Sequence, residues 1–100
     1  RLKENIVNLD GAITRVKQLQ PRRFNFIAEP SIVVDGFIAH EAATVVPESV
    51  TGTHNEIDAK GNPVYQGIDT SKLVPLLTAA LQEEIAKREA LEARIAALEG

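Results

Sequence analysis

Residues 72–99 contain no glycine and a single proline, Pro75, and this uninterrupted run constrains the fold more than any other feature of the chain. Ser71 or Asp69 can cap a helix that starts here, and Pro75 then falls in an early turn, where its missing N–H is tolerated. One long helix is expected. At ~1.5 Å per residue it extends ~40 Å, more than a small body ahead of it can cover, so part of it must project.

A heptad pattern runs along that helix. Placing Leu77, Leu91 and Leu98 at position d puts Val74, Leu81 and Ile95 at a, with Glu84 and Arg88 as polar interruptions of the seam. Ile85, four residues after Leu81, widens the apolar stripe. Glu83 with Lys87 and Glu84 with Arg88 stand at i,i+4, pairs worth ~0.2–0.5 kcal/mol each, which favour helix without driving assembly. The pattern admits an amphipathic helix folded back on its own body or a coiled coil between chains. Apolar residues beyond Leu91 favour the second, because the rest of the chain has few apolar side chains to spare once its own core is filled.

Size and composition point the same way. The chain has 100 residues, a net charge of −3 and no cysteine. Chains this short bury only ~60–70% of their unfolded surface, and without disulfides or thiolate zinc sites further stabilisation must come from packing or other subunits. The mild acidity, free of long like-charge blocks, leaves no electrostatic footprint for nucleic acid or an anionic membrane. No run approaches the ~20 apolar residues of a bilayer span, and the first residues lack the pattern of a secretion signal. There is no methionine and the sequence opens on Arg1 in mid-phrase, so the chain is expected to be a released product or a fragment.

Ahead of the helix the residues predict a small α+β body over residues 1–71, with a C-terminal helix at 72–100. Asp10 can cap a short helix through Leu19, where Ile13, Val16 and Leu19 recur at helical spacing before Pro21. Phe24 and Phe26 alternate with polar residues as in a strand with one face on the core. Residues 31–39 predict two short strands, or an extended segment broken at a turn, at Asp35-Gly36, residues 40–46 a brief helix stopped by Pro47, about 48–63 an exposed loop, and 64–68 a returning strand.

Enzymatic motifs are few. His40-Glu41-Ala42-Ala43-Thr44 begins like the zinc-protease helix, but that chemistry needs a second histidine one turn on, and Thr44 stands there. No metal or cofactor is expected, His40 reads as a hydrogen-bonded structural residue, and Glu41 reads as a helix-end charge. No glycine-rich phosphate loop precedes a helix, and Asp35, Asp58 and Asp69 lack calcium-loop spacing. Ser31, Ser49 and Ser71 read as turn and capping residues. A partly desolvated lysine can act as a base.

Several phrases together resemble one family. Arg1-Leu2-Lys3-Glu4-Asn5-Ile6, Pro21-Arg22-Arg23-Phe24-Asn25-Phe26, Gly36-Phe37-Ile38-Ala39-His40-Glu41, Val45-Val46-Pro47-Glu48 and Val64-Tyr65-Gln66-Gly67-Ile68-Asp69 look like the endosialidase-type intramolecular chaperones, the self-cleaving S74 peptidases at the ends of phage tail fibres and tailspikes. The resemblance implies that the C-terminal helix forms a trimeric coiled coil with Leu77, Leu81, Leu91, Ile95 and Leu98 in its seam. It also implies that the homotrimer registers the β-rich shaft upstream in the same polypeptide, without nucleic acid or membrane. Such a domain is made in the bacterial host cytoplasm as part of a tail-fibre precursor and is then cut off, so it is absent from the mature virion. The cut falls before a serine a few residues ahead of Arg1, outside this sequence. Lys3 matches the lysine of the serine/lysine pair and takes the role of general base. A non-catalytic trimerisation module is the alternative, and a membrane-bound transcription factor of the myelin-regulatory-factor type, which carries the same domain, is a third.

Overall fold

A computed structural model describes residues 2–100 of the chain and divides it into two compact units. One is formed by the segment up to Lys17 together with Val74–Gly100, the other by Gln18–Leu73. The fold class is α+β, as the residues imply.

In the first unit, helix α1 (Ala12–Val16) packs on the long C-terminal helix. The expected cap at Asp10 and extension to Leu19 are both corrected, since α1 has five residues and no side-chain cap of its own. The chain enters α1 through Gly11 at φ 69°, a left-handed turn that a β-carbon resists. The uncapped amides are met from far along the chain. Glu83 Oε2 accepts the Ala12 N–H at 2.9 Å and its Oε1 accepts that of Ile13 at 3.3 Å. Ala12, Leu76 and Ala80 are buried. Residues 2–10 form no regular element.

The long helix spans Val74–Glu99, with Pro75 at its second position. A 3₁₀ turn over Thr70–Leu73 leads into it. Asp69 organises that turn, its Oδ1 accepting the Ser71 hydroxyl at 2.6 Å and the Ser71 N–H at 3.0 Å. These two bonds hold the Asp69 carboxyl below its ordinary pKa.

In the second unit, β1 (Pro21–Phe26) and β2 (Glu29–Phe37) pair antiparallel, from Pro21 opposite Phe37 to Asn25 opposite Val33, with an irregularity between Asn25 and Phe26. The break expected at Asp35-Gly36 does not occur, and β2 runs through it. Gly36 serves packing instead, because a β-carbon there would come within 3.3 Å of the Phe24 ring. Phe24 and Phe26 do share a face, with rings edge to face at 5.6 Å, but they do not form a core. Phe24 is half-buried and Phe26 is 59% exposed, because a two-stranded ribbon has no layer of its own to close over that face.

The four-residue helix α2 (Ala39–Ala42) and a 3₁₀ turn at Pro47–Ser49 follow. Strand β3 (Val50–Thr51) then pairs antiparallel with β4 (Gly67–Ile68), so the strand expected over 64–68 is shorter. Gly67 lies opposite Thr51, whose Oγ1 would stand 2.9 Å from any β-carbon placed there. The buried residues of this unit are Leu19, Ala42, Val45, Val46, Ser49 and Leu73. Ser49 is satisfied locally, donating from its hydroxyl to the Val46 carbonyl at 2.6 Å. Residues 52–63 are exposed but closed on themselves. Ile57 bridges Pro63, the Val64 N–H donates to the Glu56 carbonyl, and Asp58 Oδ1 accepts the N–H groups of Lys60 and Asn62.

Candidate functional site

The helix Val74–Glu99, hereafter α3, carries two apolar stripes with different fates. Leu76, Ala80 and Glu83 lie at i, i+4 and i+7 on one stripe of the helix, where Leu76 and Ala80 are buried and Glu83 accepts the α1 amides. Leu77, Leu81 and Glu84 follow them by one residue each, and are therefore turned ~100° around the helix. This second stripe continues through Leu91, Ile95 and Leu98, and all of its apolar members are exposed, Leu81 to 62% and Leu98 to 86%. Ile85 lies beside it, also exposed. The seam residues of the sequence reading are thus brought onto one open surface.

Side-chain pairing on α3 differs from the expected i,i+4 set. Glu83 is turned to the amides of α1 instead of Lys87. Arg88 is turned to Glu92, with Nε 3.6 Å from Oε1 and both side chains about two-thirds exposed. The role of Glu83 escaped the sequence reading. Its only signal was the absence of a capping side chain at Gly11, which requires an acceptor from elsewhere.

The segment before α1 is a second candidate region. Leu2, Lys3, Ile6 and Val7 are exposed and outside any regular element, and Asn5 adopts a left-handed φ of 55°. An open groove of roughly 710 Å³ lies between this segment and α3, lined by Asn8, Leu9 and Asp10 on one side and Val74, Thr78 and Gln82 on the other. Lys3 is not among its lining residues.

The polar residues of the second unit are structural in geometry. Glu41 is more than a helix-end charge, since its carboxylate takes a two-pronged contact from Arg22, Nε to Oε1 at 3.1 Å and Nη2 to Oε2 at 2.9 Å. The hydrogen bonds from Arg22 hold the Glu41 carboxyl below its ordinary pKa. Arg23 pairs in the same way with Asp35 directly across the hairpin. His40 meets His54 ring to ring, with centroids 4.0 Å apart, a contact the sequence did not signal because His54 lies in the long excursion. No group of three or more His, Cys, Asp or Glu side chains converges among the described residues. No helix among them is long and apolar enough to cross a membrane.

The longest helix of this small α+β fold thus keeps an apolar stripe uncovered. The chain belongs to the peptidase S74 family, the chaperone of endosialidase, whose family model matches residues 1–51. No curated protein matches it. Membership gives the chain a chaperone role, within a family whose parent proteins are self-cleaving peptidases. The match takes in the exposed N-terminal segment, α1, the hairpin and α2, and ends at Thr51, ahead of α3.

Proposed function

We propose that three copies of this chain join through the open stripe of α3 and hold three upstream polypeptides in register while an interwoven β-rich phage tail-fibre or tailspike shaft folds. The domain is then released by a cut at its N-terminal edge. The observation that carries this reading is the stripe itself. Leu77, Leu81, Leu91, Ile95 and Leu98 stay exposed although the adjacent stripe of the same helix is covered, and large apolar side chains aligned on one exposed face mark an interaction surface. Joining three chains makes later strand pairing effectively intramolecular, at roughly millimolar effective concentration.

Release uses Lys3 as general base toward a serine upstream. The free amine takes the hydroxyl proton, and the serine oxygen attacks the carbonyl carbon of the preceding residue. The peptide C–N bond breaks as the amine leaves with a proton, and water then hydrolyses the ester. Desolvation favours the free amine of a lysine. Lys3 is exposed in the single chain, so on this reading its shelter comes from the upstream segment or from neighbouring copies. The chaperone is made in the host cytoplasm as part of the fibre precursor, and the cut leaves the mature shaft kinetically trapped without its clamp.

That exposure of Lys3 also favours a second reading, a clamp that never cuts. Expressing the parent protein with its native junction beside a Lys3→Ala version separates the two. Wild type splitting ahead of Arg1 into two trimeric parts, with Lys3→Ala assembled but whole, is the expected result. Both versions trimeric and uncut would leave only the clamp, and a chain that stays monomeric at high concentration would sink the trimer itself.

A further inference from the structure

The open stripe of α3 is interrupted at two consecutive seam positions, and the interruptions carry opposite charge. Glu84 occupies a d position and Arg88 the following a position, between the apolar pair Leu77 and Leu81 and the apolar group Leu91, Ile95 and Leu98. Neither charge is held in a close pair among the described residues. Glu84 has no hydrogen-bond or ion-pair partner among the described residues, and Arg88 makes only the long, exposed contact to Glu92. Pairs of that kind contribute little and are readily exchanged.

We propose that Glu84 and Arg88 form an ion layer between the three chains that fixes the register of the helical seam, an inference that rests on the trimer proposed above. With three parallel helices in register, three Glu84 carboxylates form one layer and three Arg88 guanidiniums the next, ~6 Å further along the axis. Helical side chains lean toward the N-terminus, which carries Arg88 back toward the Glu84 layer. A guanidinium presents several N–H donors in a fixed fork, enough to serve carboxylates of neighbouring chains. The six charges cancel within one turn of the seam.

The consequence is specificity more than strength. An all-apolar heptad seam that slips by seven residues loses only its end contacts. Here the same slip sets Glu84 level with Leu77 or Leu91 and Arg88 level with Leu81 or Ile95, leaving unpaired charges against apolar side chains. Polar residues at core positions of a coiled coil set register in this manner. The same pattern would also close an antiparallel pair centred on residue 86, with Glu84 of one helix beside Arg88 of the other. A clamp that registers three chain ends requires the parallel arrangement, and the two differ in where the chain ends lie.

The test follows mass by sedimentation equilibrium and orientation by a reporter thiol, Gly100→Cys, in a chain that otherwise has no cysteine. Wild type should assemble as a trimer, with position 100 cross-linking to position 100. Glu84→Arg places six like charges in adjacent layers and should raise the dissociation midpoint ~100-fold or more, the effect of leaving a buried charge unpaired. The swap Glu84→Arg with Arg88→Glu should return to within ~10-fold of wild type, which separates lost pairing from a helix that no longer folds. Replacing both by leucine should keep or tighten assembly while lowering the yield of position-100 cross-links, as slipped registers become populated. Trimeric wild type with Glu84→Arg equally tight, or with the swap no better than Glu84→Arg alone, overturns the ion layer and leaves the trimer standing. Absence of the position-100 cross-link in an assembled wild type overturns the parallel register. A monomeric wild type overturns the trimer and the layer together.

Discussion

Replacing Glu83 by alanine should be among the most damaging single changes to the first unit, although the residue is polar and only half-buried. Its carboxylate accepts the N–H groups of Ala12 and Ile13 at 2.9 and 3.3 Å, and it does so at the start of a helix with no cap of its own. Ala12 is fully buried, so its amide has no ready access to water once the carboxylate is gone. A buried donor left unsatisfied costs ~1–3 kcal/mol, and an anion at a helix N-terminus adds ~0.3–1 kcal/mol. Glu83→Ala should therefore lose about 2 kcal/mol. Glu83→Gln keeps an acceptor but loses the charge, and should lose about half as much. For a domain of this size that corresponds to roughly 8–16 °C in Tm for alanine, read at one fixed protein concentration because the proposed assembly would make Tm concentration-dependent. Hydrogen exchange at the Ala12 and Ile13 amides gives the local measure, and both should lose protection in Glu83→Ala. An unchanged midpoint with those amides still protected would refute the capping argument.

Three further changes probe other parts of the molecule. Gly67→Ala forces a β-carbon to within 2.9 Å of Thr51 Oγ1 and should cost about 1–2 kcal/mol in urea unfolding; in a Thr51→Ala background most of that loss should vanish, and a full loss there would locate the strain elsewhere. Ile95→Asp puts a charge in the open stripe and should abolish assembly while the circular dichroism of the helix largely persists, so a trimeric Ile95→Asp would disqualify this stripe as the seam. The hydrogen bonds from Arg22 depress the Glu41 pKa in the folded chain, so the unfolded chain holds that proton more tightly. The resulting stabilisation is present above the ordinary carboxylate range and is lost as pH falls through the lower folded value. In Arg22→Ala the Glu41 carboxyl resonance should titrate at higher pH than in wild type, and coincident titrations would discount the pair.

Much of this was legible in the sequence because the signals were local. The glycine-free run after Ser71 predicted α3, and its heptad spacing picked out the exposed residues from Leu77 to Leu98. Asp69 and Ser71 were readable as the start of that helix from their hydrogen-bonding chemistry alone. The failures arise where the deciding contact, or its absence, lies outside the local stretch of sequence. Asp35-Gly36 has the composition of a turn, yet the Phe24 ring across the hairpin is what requires the glycine. Asp10 is a good cap by type, yet the left-handed Gly11 and the distant Glu83 displace it. Phe24 and Phe26 alternate as core residues do, but no second layer within the hairpin covers them. Of the candidate site, the stripe could be read from one helix, whereas the role proposed for Lys3 rests on resemblance and not on a contact within the described residues.

The bond from Glu83 to Ala12 joins residues 71 positions apart, and that separation has a meaning for synthesis. A ribosome adds ~5–20 residues per second, so ~4–14 s pass between the appearance of α1 and that of its cap. During that interval α1 is too short to persist by itself. The first unit closes only after residue 83 has been made. The α1 cap is thus a timer built into chain order, holding back closure of this unit until residue 83 has been made.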